Sequence, residues 1–179
     1  MFGGLRAIYK VYGGPLGLLR SSYFWFSVVL FLLSYNAAIK GTWEDLALSI
    51  LPSLTGFSIA SFAIVFAVLR PEQVSALLKK KAGEEAPLLR LFSSITHAIL
   101  IQVSGVLIAY VRKLSDLSEF ADWLVCEQAS FDRIIQLIDR SSSAFGLFLS
   151  IYGITLLFSI ALIIFQMTRT VSEISRQEK

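Results

Sequence analysis

Long uncharged blocks alternate with short charged connectors along this chain. The second block, residues 46–69, runs for 24 residues without a charge and is followed at once by Arg70. As a helix it would rise roughly 36 Å, enough to cross a hydrocarbon layer about 30 Å thick. Comparable blocks occupy about residues 23–39, 91–111 and 144–167. The pattern predicts an all-α polytopic membrane protein with four transmembrane helices in a single domain, residues 1–179.

The connectors differ from one another in character. Residues 70–90 are charged, whereas residues 112–142 place aromatic and aliphatic side chains among six acidic residues. A 31-residue connector without secondary structure is uncommon, so we expect one or two amphipathic helices lying over the extracytoplasmic mouth of the bundle. Residues 1–22 mix aromatic and basic side chains, which favours a segment lying in the membrane interface. We expect Trp43 to mark the opposite interface and Pro52 to lie near the first turn of its helix.

Composition and charge place this chain among membrane proteins and orient it. Of its residues 55% are hydrophobic and its mean hydropathy is +0.69, which leaves too little polar surface for a soluble domain. Residues 1–22, 70–90 and 168–179 hold 11 of the 16 basic residues. The positive-inside bias predicts four crossings of a bacterial inner membrane, with both termini in the cytoplasm.

No enzyme signature is recognisable in the sequence. It contains no nucleophile elbow, no HExxH, no Cys-x-x-Cys and no phosphate-binding glycine loop. One histidine and one cysteine are too few for the common metal sites or for an internal disulfide. We therefore expect no enzymatic activity, no cofactor, no metal and no direct contact with nucleic acid. The predicted spans hold no carboxylate and no arginine, which makes a small transporter the least favoured function.

Polar side chains at membrane depth are expensive and often functional. The candidates for a pore or polar network are His97, Gln102, Ser104, Thr155 and Gln166. One interpretation is a hydrophilic pathway, or a proton-sensitive switch at His97. The other is hydrogen bonding between helices that fixes their register, worth about 0.6 kcal/mol per bond. The sequence favours the second interpretation for Gln102 and leaves both open for His97.

Small residues recur at helical spacing on three spans, which is typical of helices that approach each other closely in lipid. Members of these predicted seams are Ser53, Gly56, Ala60, Ala63 and Ala67 on the second span, Gly105 on the third, and Ser143, Gly146, Ser150 and Gly153 on the fourth. Ser94, Ala98, Gln102 and Ala109 share a face with Gly105. Three seams exceed what one four-helix protomer needs, which favours a homo-oligomer, although all three seams can also be satisfied inside the protomer.

Two further features concern partners. Lys79, Lys80 and Lys81 form a basic run in a predicted cytoplasmic connector, where they would contact anionic lipid or an acidic cytoplasmic protein. Cys126 lies in the predicted extracytoplasmic segment. Its thiol would pack in an amphipathic helix or, in an oxidising compartment, form a disulfide between protomers.

The layout resembles the RexB-like small four-span membrane proteins of phage exclusion and defence systems. The similarity is carried by PSLTGFSIASFAIVFAVLR at residues 52–70 and by LIIFQMTRTVSEISRQEK at residues 162–179. The resemblance implies an inner-membrane ion channel that depolarises the cell on a signal from a cytoplasmic partner. It assigns no functional residue to this chain.

The sequence therefore predicts an oligomeric membrane effector that acts as a channel or perturbs the membrane. A second hypothesis is a membrane anchor or sensor that recruits a cytoplasmic protein through its basic connector.

Overall fold

The computed structural model describes residue 17 and residues 19–78, 86–114 and 129–177. Within these ranges the chain is helical and contains no strand. The helices are α1 (Ser22–Lys40), α2 (Trp43–Val68), α3 (Pro71–Leu78), α4 (Pro87–Leu114) and α5 (Ala129–Gln177). All except α3 are long and apolar enough to cross a membrane. The prediction of an all-α protein with four membrane-spanning helices is confirmed.

The turn between α1 and α2 is tight. Gly41 adopts a left-handed conformation with φ of 64°, and its N–H donates to the carbonyl of Ala37, a common way to end a helix. Helix α2 begins two residues later at Trp43, so Pro52 lies in the helix interior and not in the first turn as expected. Because proline has no N–H, it cannot donate to the carbonyl of Leu48. This position is a weak point in the backbone of α2.

Helix α5 is longer than the fourth predicted span. It runs unbroken for 49 residues, about 73 Å of rise. Residues 129–142, expected in separate helices over the bundle mouth, instead continue directly into the spanning part. No glycine or proline occurs between residues 129 and 145, so nothing in the sequence ends the helix there. The other half of that connector, residues 115–128, lies outside the described residues.

Helix α5 is the centre of the bundle, and it contacts α1, α2 and α4. Two apolar clusters hold these helices together. One cluster, near Trp43 and Arg112, is built from Ala38, Trp43, Ala47, Leu51, Ala109 and Leu147. The other, near Arg90, includes Leu77, Leu88, Leu91, Ile95, Tyr152, Leu156 and Ile160. We call the two ends of the molecule the Arg112 end and the Arg90 end.

Most of the remaining helix surface is apolar and exposed. On α1, for example, Trp25, Leu32, Leu33 and Ile39 project outward. A soluble protein rarely exposes so large an apolar surface, whereas contact with lipid tails requires it. The chain is therefore a multi-pass membrane protein whose helices contact the bilayer.

Candidate functional site

The small residues of the third and fourth spans face each other between α4 and α5. We call this contact the α4–α5 seam; its members are Ser94, Ala98, Gln102, Gly105 and Ala109 on α4, and Ser143, Gly146, Ser150 and Gly153 on α5. All nine are buried. A Cβ placed on Gly153 would lie 3.0 Å from Cγ of Gln102, and one on Gly105 would lie 3.4 Å from Oγ of Ser150. These two predicted seams are therefore satisfied inside one protomer.

The N-terminal part of α2 covers the seam at the Arg112 end. A Cβ on Gly146 would lie 2.3 Å from Cη2 of Trp43, and one on Gly105 would lie 3.0 Å from Cδ1 of Leu51. Nε1 of Trp43 donates to Oγ of Ser143 at 2.9 Å, and that hydroxyl donates to the carbonyl of Ala38 at 2.8 Å. Trp43 was expected in the membrane interface, but its side chain is only 2% exposed. It fills the space that the missing side chain of Gly146 leaves.

Gln102 joins three helices at the middle of the seam. Its Nε2 donates to the carbonyl of Gly153 on α5 at 3.1 Å. Its Oε1 accepts from Oγ of Ser58 on α2 at 3.3 Å. The side chain is fully buried. These contacts favour the interpretation in which Gln102 fixes helix register.

Replacing Gln102 tests that role. Gln102→Leu keeps the side-chain volume but removes both hydrogen bonds, so we expect a loss of about 1 kcal/mol, the sum of two bonds of typical strength in membranes. Unfolding of the purified protein in mixed micelles with increasing denaturing detergent measures this loss. Gln136→Leu, at an exposed position on α5, is the matched control and should change stability little.

His97 lies in an aromatic environment nearer the Arg90 end. Its Nε2 lies 3.2 Å from the hydroxyl of Tyr152, and the two rings meet edge to face. Phe148 stacks on the Tyr152 ring, and Phe24 meets both edge to face. His97 is 1% exposed. It is therefore part of the protomer core and not of an outer surface that would line a pore between protomers.

A hydroxyl pair connects α1 to α5. Oγ of Ser27 and Oγ1 of Thr155 are 2.5 Å apart, and each also lies within hydrogen-bond distance of a carbonyl of its own helix, Tyr23 and Tyr152 respectively. Both residues are buried. Thr155, like His97 and Gln102, therefore contributes to the interior of the protomer.

An ion-pair network ties three helices at the Arg112 end. From α4, Nε of Arg112 donates to Oε1 of Glu44 on α2 at 3.0 Å. Nη1 of Arg112 is within hydrogen-bond distance of Oδ1 and the carbonyl of Asp139 on α5, at 2.9 and 2.8 Å, and of Oγ of Ser142 at 2.6 Å. The Arg112 and Glu44 side chains are 13% and 12% exposed. A second, exposed ion pair joins Lys113 to Asp45.

The small-residue face of α2 points away from the bundle. Ser53, Gly56, Ala60, Ala63 and Ala67 are all exposed, and so is Ser49 one turn earlier. A Cβ added to Gly56 would meet no atom within 4 Å. The six positions are separated by alternating steps of four and three residues, the spacing of a coiled-coil seam. We call this surface the α2 face; unlike the α4–α5 seam, it has no partner among the described residues.

Of the other predicted residues, the structure describes Ser104 and Gln166. Ser104 is half-buried and donates to the carbonyl of Leu100 in its own helix. Gln166 is exposed near the Arg90 end. Lys79, Lys80, Lys81 and Cys126 lie outside the described residues, so their predicted roles stay predictions.

Sequence reasoning missed the ion-pair network and the polar partners Ser27, Ser58 and Tyr152. Glu44 and Arg112 were assigned to connectors, where charges are ordinarily solvated. One signal for an ion pair was available: both residues lie at ends of predicted spans, and those ends were predicted to lie on the same side of the membrane. Ser27, Ser58 and Tyr152 each stand alone among apolar residues. No spacing in the sequence identifies them as hydrogen-bond partners.

Comparison of the chain with protein-family models, with curated proteins and with solved structures gives no match in any of the three. The function must therefore be argued from the site itself.

Proposed function

We propose that this protein is a homo-oligomeric membrane effector of the channel type. The observation that carries the proposal is the α2 face, since helices in lipid associate through small residues that let backbones approach closely. The corresponding faces of α4 and α5 are already occupied inside the protomer. Residues Ser49 to Ala67 on this face therefore offer a second copy the same kind of contact.

The spacing of the α2 face supports self-association through a definite geometry. Steps of four and three average 3.5 residues per turn, which matches left-handed crossing of two helices at about 20°. Large side chains dominate the exposed surface of α1, among them Trp25, Phe26 and Leu33. Those side chains suit contact with lipid, whereas an exposed Gly56 gains little from it. The contrast favours α2 as the oligomer contact.

The polar content of the core supports conduction over a purely structural role. Buried polar side chains line the α4–α5 seam: Ser143 and Ser150 on α5, and Gln102 and Ser94 on α4. Polar groups at this depth are costly to insert into a membrane and are frequently part of a path for ions or water. We propose that the α4–α5 seam, when it opens, supplies that path.

The proposal also includes the cellular setting. The distribution of basic residues supports a bacterial inner membrane with both termini in the cytoplasm. The resemblance to RexB-like proteins supports a role in defence against phage, in which a cytoplasmic partner triggers depolarisation.

Enlarging the α2 face tests the oligomer. We expect Gly56→Leu combined with Ala60→Leu to reduce the assembly to smaller species, because four-carbon side chains prevent close approach of the two backbones. Native mass spectrometry of the detergent-purified protein gives the subunit number, and ion flux into proteoliposomes gives the activity. Ala161→Leu, at an exposed position on α5, is the matched control and should leave both unchanged. An intact oligomer in the double variant would exclude the α2 face as the contact.

A second function, a membrane anchor that recruits a cytoplasmic protein, is favoured by one observation. Helix α3 packs Leu77 against Leu88 and Leu91 of α4, which fixes the start of the connector that continues into the lysine run. A basic connector whose first residues are held against α4 suits docking of an acidic partner. A stable oligomer that passes no ions, together with capture of a partner that charge reversal at Arg70 and Lys79–Lys81 abolishes, would favour this function over the channel.

A further inference from the structure

The first nine residues of α2 differ from the rest of that helix in how they are held. Residues 43–51 begin two residues after the left-handed Gly41 and end directly before Pro52. Glycine is freely adaptable in its backbone angles, and proline removes one helical hydrogen bond. We call residues 43–51 the gate segment. The backbone can bend more easily at both ends of this segment, at Gly41 and at Pro52, than elsewhere in α2.

The gate segment carries the two side chains that cover the α4–α5 seam. Trp43 lies over Gly146, and Leu51 lies over Gly105 beside Ser150. Both side chains are buried. Moving the segment outward would expose Ser143 and Ser150, whereas the remainder of α2 would stay packed through Ser58 on Gln102 and through Phe62 and Phe66 on Phe92.

Polar contacts to the neighbouring helices hold the gate segment in place. Glu44 pairs with Arg112, Asp45 pairs with Lys113, and the indole of Trp43 donates to Ser143. The second pair is exposed and contributes little. Oε2 of Glu44 is buried and has no hydrogen-bond partner among the described residues, which carries a penalty in the closed arrangement. The first turn also lacks a side-chain cap at Thr42. The closed position is thus held by the core packing of Trp43 and Leu51 together with one partly buried ion pair.

We propose that residues 43–51 form a gate, kept closed by the Glu44–Arg112 ion pair, that opens about Gly41 and Pro52 to admit water to the α4–α5 seam. This inference rests on the proposed channel function, and it adds the segment that blocks the path and the ion pair that holds that segment closed. Helix α2 then has two roles on opposite faces: the α2 face binds the neighbouring copy, and the gate segment closes the seam.

Cysteine accessibility in nanodiscs tests the gate, because a membrane-impermeant thiol reagent then reaches both membrane faces. The reporter protein carries Cys126→Ser and Ser150→Cys. We expect slow labelling of the reporter and labelling at least about tenfold faster when Glu44→Gln and Asp45→Asn are added, the factor expected for a charge-assisted hydrogen bond. Asp139→Asn is the matched control: it removes the other carboxylate on Arg112 without touching α2, and labelling should stay slow. Equal rates in the double variant and the reporter would overturn the gate.

Two additional variants separate a gate from a loss of folding. Pro52→Ala restores an N–H for the carbonyl of Leu48, so in the double variant it should slow labelling again; an unchanged rate would overturn opening about Pro52. If the double variant fails to fold, Trp43→Phe in the reporter removes the indole donor to Ser143 and should accelerate labelling by itself. A rate equal to that of the reporter would count against the gate.

Ion flux measured in parallel separates this inference from the proposed function. Faster labelling without flux would retain the gate and refute the channel. Flux that rises without faster labelling of position 150 would retain the channel and place its path elsewhere, which overturns the gate.

Discussion

Gly146→Leu is expected to prevent the four spanning helices from assembling into the native bundle. Even a single Cβ at this position would lie 2.3 Å from Cη2 of Trp43 and 2.8 Å from Cγ2 of Ile108. Trp43 cannot retreat easily, because its Nε1 is hydrogen-bonded to Ser143 and its ring lies between helices. Overpacking by one group costs about 1–3 kcal/mol, and leucine adds three more carbons, so we expect a loss of about 3 kcal/mol or more.

The matched control for this change is Gly56→Leu in the same protein. The α2 face has open space at that position, so the protomer should keep its stability while its self-association weakens. Unfolding by denaturing detergent, followed by far-UV circular dichroism, compares the two variants. Equal destabilisation by both substitutions would show that Gly146 has no special packing role.

Trp43→Ala is expected to destabilise the Arg112 end of the bundle about as strongly as Gly146→Leu destabilises the protomer. The substitution empties the space above Gly146 and removes the donor to Ser143. Replacing a buried aromatic side chain by alanine ordinarily costs about 3–5 kcal/mol, because the cavity collapses only partly. Trp25→Ala is the control, since Trp25 is 58% exposed and faces outward from α1.

Thermal unfolding in detergent measures both tryptophan variants, with intrinsic fluorescence as the signal. Brominated detergent should quench Trp25, which faces outward, more strongly than the buried Trp43, so removal of Trp43 should raise the quenchable fraction of the fluorescence. A Trp43→Ala protein as stable as Trp25→Ala would contradict the assignment of Trp43 to the core.

The membrane-spanning helices were predictable to within a few residues, because charges bound each uncharged block. The block at residues 23–39 became α1, Ser22–Lys40, and the block at 91–111 lies inside α4, Pro87–Leu114. The continuity of α5 was not predictable in the same way. Amphipathic residues 129–142 fit a separate surface helix equally well, and the choice depends on tertiary contacts such as that of Asp139 with Arg112.

The small-residue seams were predictable as helix-packing surfaces, but not which of them lies inside the protomer. The small-residue seams on α2, α4 and α5 have the same spacing, so periodicity alone cannot show which of them is buried inside the protomer. On α2 the opposite face decides the outcome: Trp43, Leu51 and Ser58 make specific contacts in the core, which turns Gly56 outward. The Arg112 network depends on the relative register of α2, α4 and α5, which no local pattern in the sequence encodes.

The helices differ in length, and this has a consequence for the surrounding bilayer. The 19 residues of α1 rise about 28 Å, whereas the apolar part of α5, Gln136–Arg169, has 34 residues and rises about 51 Å. A membrane thicker than α1 must thin beside that helix, at a cost of fractions of a kcal/mol per Å, while α5 accommodates it without strain. The mismatch acts on one flank of the bundle only, so longer acyl chains should deform the bilayer beside α1 more than beside α5.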